Sequence, residues 1–394
     1  MSDYLVYDQA SLPGGLNEVL VKEDVSDLIT NLFPLDTPLH QVLSRRPMHN
    51  VFCEAPVDTF ANVNRDAVTA FDASASPDTG GLLAKPESHV YTSPAAQYPA
   101  KLTSVAEIQG IQFEVSDTNR AMEMYGIQDR FAYEALKTTQ SVVNNFEFSF
   151  WWGEGTVPGG ADFDTGGGAA IYAARQTQGL MYWILHSGLA RRFGALAGAN
   201  VDGNGNDFDT VATNNLYGAA ATTAFDAGGL TLDQTMFKQD IMGPWWNLTG
   251  RTSGAVGFAS PRVKNLFSQF ALTANGPVNE RSLEAASKLI VDTVDYYETD
   301  YGIISINLCR YLSEESQTRT IATRNGAGDV NVTVNLDQSL VLMHPQYFQI
   351  GTSRGVHFSP LGKDGDRERG LVRGEQGLVC LNPQGATAAV NCVS

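Results

Sequence analysis

The chain has 394 residues, enough for two or three domains or one elongated multi-domain unit. Hydrophobic residues at 43% describe a folded rather than a disordered chain, while a charged fraction of only 18%, with 38 glycines, implies a low-charge polar surface suited to broad contacts. A formal net charge of -17, with no basic run longer than Arg45-Arg46 or Arg191-Arg192, excludes the clustered Lys and Arg that phosphate contacts require.

Met1 to Asp8 carries no basic region followed by an apolar one, so no signal peptide is expected. No apolar run approaches the ~18 residues a membrane helix needs. Cys53, Cys309, Cys380 and Cys392 form no CxxC pair, and ordinary reduced thiols are the expectation. Residues 1–44 read as an arm with one short amphipathic piece, Glu23 to Phe33. There Val25, Leu28, Ile29 and Leu32 fall at helical spacing before Pro34 and Pro38 end the pattern.

From Arg46 to Glu114 the chain makes an extended, mostly polar excursion. Val51 to Thr59 and Lys101 to Val115 look like strands, the second carrying Ile108, Phe113 and Val115. Between them, Ala61 to Ala100 carries Pro77, Pro86, Pro94 and Pro99 and shows no sustained periodicity. A structureless stretch beyond ~20 residues argues against a self-contained compact domain and points to a function or a partner. Two limbs of about 30 residues at ~3.3 Å each would reach as far as about 100 Å.

Asp117 or Thr118 can cap a helix whose apolar stripe is Met124, Ile127, Phe131, Ala135, Val142, Phe146 and Phe150. The spacing predicts one unbroken helix of about 34 residues, or about 50 Å, stopped by Gly153 and Gly155. It lacks the sustained heptad of a coiled-coil strand. Thr156 to Gly229 is rich in Gly, Ala, Asn and Asp around an apolar segment from Gly179 to Leu185. Thr231 to Gln234 reads as a capping box opening a helix toward Met242, where Gly243-Pro244 should break it. Ala255 to Ala259 is a strand that leads to Ser260 as N-cap and Pro261 at the first helical position, with the helix running to Asn275-Gly276-Pro277. Further strands are expected at Leu289–Thr293, Ile303–Leu308, Val330–Leu336, Leu340–Met343 and Leu371–Leu381. The class is α+β, with much antiparallel sheet.

No motif assembles a catalytic site. Gly351-Thr-Ser353-Arg-Gly355 has the GxSxG form of a hydrolase nucleophile elbow, but that chemistry needs a strand-to-helix turn followed by an acid and then a histidine. Here His357 precedes Asp364 and Asp366, and no helix signal follows. Asp202-Gly-Asn204-Gly-Asn206-Asp207 begins like a calcium loop, yet position 6 is Asp207 and position 12 is Thr213, so a solvated turn is favoured over a cation site. His40, His49, His89, His186, His344 and His357 form no zinc pair. The stretch ending at Gly362-Lys363 lacks the glycine spacing and the Ser or Thr of a phosphate loop. Catalytic, cofactor-binding and metal-binding residues are therefore expected to be none.

In this order of elements, with Asp27-Leu-Ile-Thr-Asn-Leu-Phe-Pro-Leu-Asp-Thr-Pro-Leu39, Tyr297-Glu-Thr-Asp-Tyr-Gly302, Val341-Leu-Met-His-Pro-Gln-Tyr-Phe348 and Gly362-Lys-Asp-Gly-Asp-Arg367, the chain resembles a tailed-phage major capsid protein of the HK97-like fold. The resemblance implies an N-terminal arm (1–45), an extended two-stranded E-loop (46–115) and a spine helix of the peripheral domain (116–155). It further implies a mainly axial domain with Gly/Asn-rich loops (156–290) and remaining peripheral and axial strands (291–394). It also implies partners: identical subunits in homo-hexamers and homo-pentamers, with scaffolding, portal and decoration proteins around a shell that encloses double-stranded DNA in the virion, and no membrane. Two alternatives stay open, an encapsulin-like nanocompartment shell and a serine hydrolase built on Ser353 and His357.

Overall fold

A computed structural model describes residues 36–57, 100–122, 127–153, 155, 175–192, 222–273, 295–313, 318–325, 328–363 and 365–392. The amphipathic piece at Glu23–Phe33, the proline-bearing centre of the excursion, the Asp202–Asp209 loop and the strand expected at Leu289–Thr293 lie outside these residues. In chain order the elements are α1 (Pro38–Val42), β1 (Ser44–Pro47), β2 (Phe52–Val57), β3 (Ala100–Val105), β4 (Glu107–Ser116), α2 (Asp117–Ala121), α3 (Arg130–Trp152), α4 (Leu180–Ser187), β5 (Gly188–Arg192) and β6 (Thr222–Asp226). Then α5 (Gln234–Met236) runs through π-helical turns at Phe237–Met242 into α6 (Gly243–Thr249), followed by β7 (Ala255–Ala259) and α7 (Pro261–Thr273). The remainder is β8 (Tyr296–Thr299), β9 (Gly302–Leu308), β10 (Thr318–Asn325), β11 (Gly328–Asn335), β12 (Leu340–Met343), β13 (Phe348–Leu361), β14 (Arg367–Cys380) and β15 (Ala386–Val390).

A seven-stranded sheet ordered β5-β6-β15-β12-β7-β9-β8 divides two hydrophobic cores. Strand side chains alternate between faces. Along β12, Val341 and Met343 join the core built by Val142, Phe146, Phe150 and Trp151 of α3 with Leu180 and Ile184 of α4. Leu340 and Leu342 join the opposite core, where Phe237, Trp245, Phe267 and Phe270 pack. All four β12 residues are buried, as a strand covered on both sides requires. This sheet is mixed, with β5–β6, β6–β15 and β7–β9 parallel, while much of the described pairing is antiparallel, as expected. A second sheet, β1-β13-β14-β4, is antiparallel except where β1 runs parallel to β13. Two-stranded pairs β2–β3 and β10–β11 complete the strands.

The βα unit from Ala255 through Ser260 and Pro261 forms as expected, and the Val263 amide donates to the Ser260 hydroxyl at 3.2 Å. Three expectations need correction. The single long helix is two: Ser116 caps α2, Met122 is already extended, and α3 starts afresh at Arg130. The cause is Asp129, whose carboxylate accepts the Phe131 and Ala132 amides and so opens a new helix 23 residues long. Gly153 does end it. The helix after residue 233 is capped by Asp233 rather than Thr231, because the Asp233 carboxylate takes the Met236 amide at 2.6 Å. It also passes through Gly243-Pro244. The Gly243 amide donates back to the Lys238 carbonyl, a five-residue step, and Pro244 follows this widened turn at the start of α6. Finally, β13 was not anticipated as a strand.

His344 shows how little polar slack the core has. Its ring stacks on Trp245 with centroids 5.2 Å apart, its Nε2–H donates to the Arg251 carbonyl at 2.7 Å, and burial pushes its pKa below the usual imidazole value. The unfolded chain therefore binds the proton first. This group's contribution is complete above about pH 6.5 and is lost as pH falls toward the depressed folded value. Urea denaturation of wild type and His344→Gln across pH 5–8 should show the wild type losing more stability on acidification than the variant; parallel curves would refute this.

Candidate assembly surfaces

One buried carboxylate fixes the start of the described chain. Glu147 of α3 is fully buried and accepts the Leu39 amide at 2.7 Å, the His40 amide at 3.2 Å, His40 Nδ1–H at 2.5 Å and the Trp151 indole N–H at 3.3 Å. A carboxylate offers about four lone-pair sites, and these contacts use that capacity. Pro38 starts α1 against this anchor, and Leu39 is buried beside it. β1 then pairs with β13, and the Met48 amide donates to the Thr352 carbonyl at 2.9 Å. Between α1, β1, α3 and β13 a cleft of ≈ 500 Å³ opens, with Arg45, Arg46, Val143, Gly355 and Val356 among its lining residues. Both arginines are exposed, and neither has a carboxylate partner among the described residues.

The base of the excursion is equally well anchored. β2 and β3 pair in unbroken register from Phe52↔Val105 to Val57↔Ala100, so the chain departs and returns at one point. The Gln178 side chain bridges β3, accepting the Val105 amide at 3.1 Å and donating to the Thr103 carbonyl at 3.2 Å. Ser104 Oγ accepts the Cys380 amide at 3.2 Å, which ties β3 to β14. Gly377 permits this approach, since a Cβ there would meet the Val105 carbonyl oxygen at 2.4 Å. Beneath the same corner, the Glu107 carboxylate accepts the Thr177 amide at 3.1 Å and the Gln109 side-chain amide, and burial pushes its pKa up.

The structure places Ser353 and His357 in the extended, exposed middle of β13, at a register shift against β14 and not on a turn. No helix follows, and His357 Nδ1–H donates to the Gly355 carbonyl at 2.9 Å instead of to an acid. Of the motif's two glycines, only Gly351 is required by packing. A Cβ at Gly351 would meet Met48 Sδ at 2.3 Å, and Gly355 stands on an open wall of the cleft. Lys363 lies beyond β13 with its ammonium on Asp117 at 2.7 Å, in a tip network where Arg367 meets Glu114 and Arg120 meets Glu368. Among the described residues no group of three or more His, Cys, Asp or Glu could hold a metal, and no helix is long and apolar enough to cross a membrane. The exposed large apolar side chains are dispersed, the most exposed being Tyr296 at 74%, Met122 at 63% and Leu136 at 61%. The sequence did not mark the cleft, because its parts come from residues about 100 and 300 positions apart.

A family model described as SU10 major capsid protein matches residues 8–391. The chain belongs to the SU10 major capsid protein family. Its fold is accordingly that of tailed-phage capsid subunits, and the nearly full-length family match sets aside both the nanocompartment shell and the hydrolase as readings of this major capsid protein. It is similar in structure to the capsid of a native GTA particle, at 9% identity and a TM-score of 0.55, covering 95% of this chain and 97% of that one. The capsid of cyanophage P-SCSP1u aligns at 10% identity over 95% and 94% of the two chains, with a TM-score of 0.51. The capsid of cyanophage A-1(L) aligns at 11% identity over 96% and 99%, also at 0.51. No curated protein matches.

Replacing Glu147 with Ala removes the acceptor from four donors, the Leu39 and His40 amides, His40 Nδ1–H and the Trp151 indole N–H. At about 1–3 kcal/mol for each, the capsid protein should lose about 3 kcal/mol or more in urea denaturation. A loss below about 1 kcal/mol would show that the carboxylate is not the anchor. A serine-directed fluorophosphonate should leave Ser353 unlabelled in the folded protein, whereas stoichiometric labelling would revive the hydrolase.

Proposed function

We propose that this major capsid protein builds an icosahedral shell of hexamers and pentamers around double-stranded DNA, and that residues 58–99 form the part of an E-loop that lies on a neighbouring subunit. The observation that carries the reading is the β2–β3 base. Its two limbs pair in register as far as Val57 and Ala100, held to β14 by Ser104 and to the 175–179 strap by Gln178, so a firmly anchored base stands at both ends of residues 58–99. A segment that cannot bury a core of its own gains its ordering energy only against a partner, and for a shell subunit that partner is an identical copy. Such contacts are heterologous, and repetition about a rotation axis closes rings. In the same reading residues 1–45 are the N-terminal arm, 116–155 carry the spine helix as the interrupted α2–α3 pair, 156–290 are mainly axial, and 291–394 supply remaining peripheral and axial strands. Scaffolding, portal and decoration proteins complete the set of partners, and the assembled shell is part of the virion.

Electron microscopy of the purified protein under assembly conditions should show isometric shells or rings of five and six; a persistent monomer would refute the assembly. Deletion of residues 62–98 should leave circular dichroism and urea midpoint close to wild type, because the base is fixed by β14 and Gln178, yet should abolish shells. Shells of normal yield from the deletion would remove residues 58–99 from the inter-subunit contact.

A further inference from the structure

The cleft beside Glu147 concentrates positive charge on a strongly acidic chain. Most of the described cations are held by their own chain's carboxylates: Arg175 and Arg354 by Glu375, Arg262 by Asp337, Lys264 by Asp295, Arg367 by Glu114 and Lys363 by Asp117. Arg45 and Arg46 are consecutive, exposed and not so held. The carboxylate buried behind His40 on the cleft wall, Glu147, is already engaged by the Leu39 amide, His40 and Trp151, and is closed off from solvent. We propose that this cleft receives a carboxylate-bearing segment of a second copy of this chain. The proposal rests on the shell-subunit reading above and names a contact within it.

Three observations define that occupant. The first is charge: with 43 acidic against 26 basic residues, a neighbouring copy presents carboxylates in excess, and two forked guanidinium groups match a carboxylate in charge and hydrogen-bond geometry. The second is size and lining. A space of ≈ 500 Å³ floored by Val143 and Val356 exceeds what a lone inorganic anion fills and falls in the range that encloses a larger ligand. Exposed Leu136 lies on the Val143 face of α3, about 10 Å along the axis, and extends the footprint with apolar contact. The third is backbone. β1 is the terminal strand of its sheet, so its outer edge has no ladder partner among the described residues, and an extended segment can pair there while its carboxylate meets the arginines. Packaged DNA is a poorer fit, because one arginine pair on a chain of net charge -17 does not offset the repulsion of a phosphate backbone by the rest.

The test compares wild-type shells with the double variant Arg45→Glu, Arg46→Glu. Both side chains are exposed, so circular dichroism and the urea midpoint should match wild type while shell yield falls by roughly tenfold or more. In a second experiment Arg45→Lys, Arg46→Lys shells are assembled from equal amounts of 14N- and 15N-labelled protein and treated with a zero-length carbodiimide. Mass spectrometry should find position 45 or 46 joined to an Asp or Glu in mixed-isotope peptide pairs. Coupling confined to same-isotope pairs would assign the cleft to the chain's own carboxylates and overturn the proposal. Normal shell yield from the charge-reversed variant would overturn it as well, as would normal yield with loss of enclosed DNA, which would assign the cleft to phosphate. If the wild type itself forms no shells, the shell-subunit reading fails instead, independently of the arginines.

Discussion

A single carboxylate, Glu147, decides where the edge of this subunit lies. Burying an unpaired carboxylate would be prohibitive, and it is tolerated here because two backbone amides, an imidazole and an indole converge on it. Three of those four donors belong to residues 39 and 40, far in sequence from α3. The bond therefore fixes α1 on the helix, and α1 in turn delivers β1 to the edge of β13, where Ser44 to Pro47 pair with Gln349 to Thr352. Without that anchor neither the fourth strand of the sheet nor the arginine cleft would exist. An apolar residue at 147 would pack well enough in the Phe146–Phe150 environment, but it would leave α1 with no preferred register.

The same logic of rigid support under an exported segment recurs at the β2–β3 base. Glycine at 377 lets β3 press onto β14, Gln178 closes the remaining backbone groups of β3, and Ser104 bridges the two. Behind them stand a central strand, β12, buried on both faces and the two cores it divides, with even and odd positions of Leu340–Met343 serving different sides. A shell subunit must transmit contact forces through its body, and a sheet clamped between two packed cores deforms little, because interiors at crystal-like density have low compressibility.

Local signals were legible where chemistry acts over three or four residues. Ala255–Ala259, Ser260 and Pro261 gave a strand, an N-cap and a first helical turn in the right places, and Leu340–Met343 read directly as a strand. What the sequence concealed depended on competition. Asp129 lies within an apolar stripe that continues past it, so periodicity favoured one helix while capping favoured two, and capping won. Gly243-Pro244 reads as a breaker unless a π-turn shifts the bond ladder by one residue, which only the surrounding packing of Phe237, Ile241 and Met242 can favour. β13 escaped notice because its glycines and serines look like a loop until Met48 is seen occupying the space above Gly351. The cleft was illegible for a simpler reason, since Arg45, Val143 and Val356 meet only after folding.

The acidic character of the chain acquires a definite role once these positions are known. Copies of net charge -17 repel one another at a distance, with a range of about 8 Å at physiological ionic strength, so encounter is disfavoured except where opposite charge meets at close range. Pairing many of the described surface cations with carboxylates of the same chain, at Glu375, Glu114, Asp337 and Asp295, leaves fewer competing attractive patches. An exposed arginine pair in a shaped cleft then discriminates among approaches by geometry, since only a segment that fits beside Val143 and along β1 brings its carboxylate into range. Net repulsion over the rest of the surface adds to the specificity that a uniformly sticky surface would lack, because a misplaced neighbour meets mostly like charge.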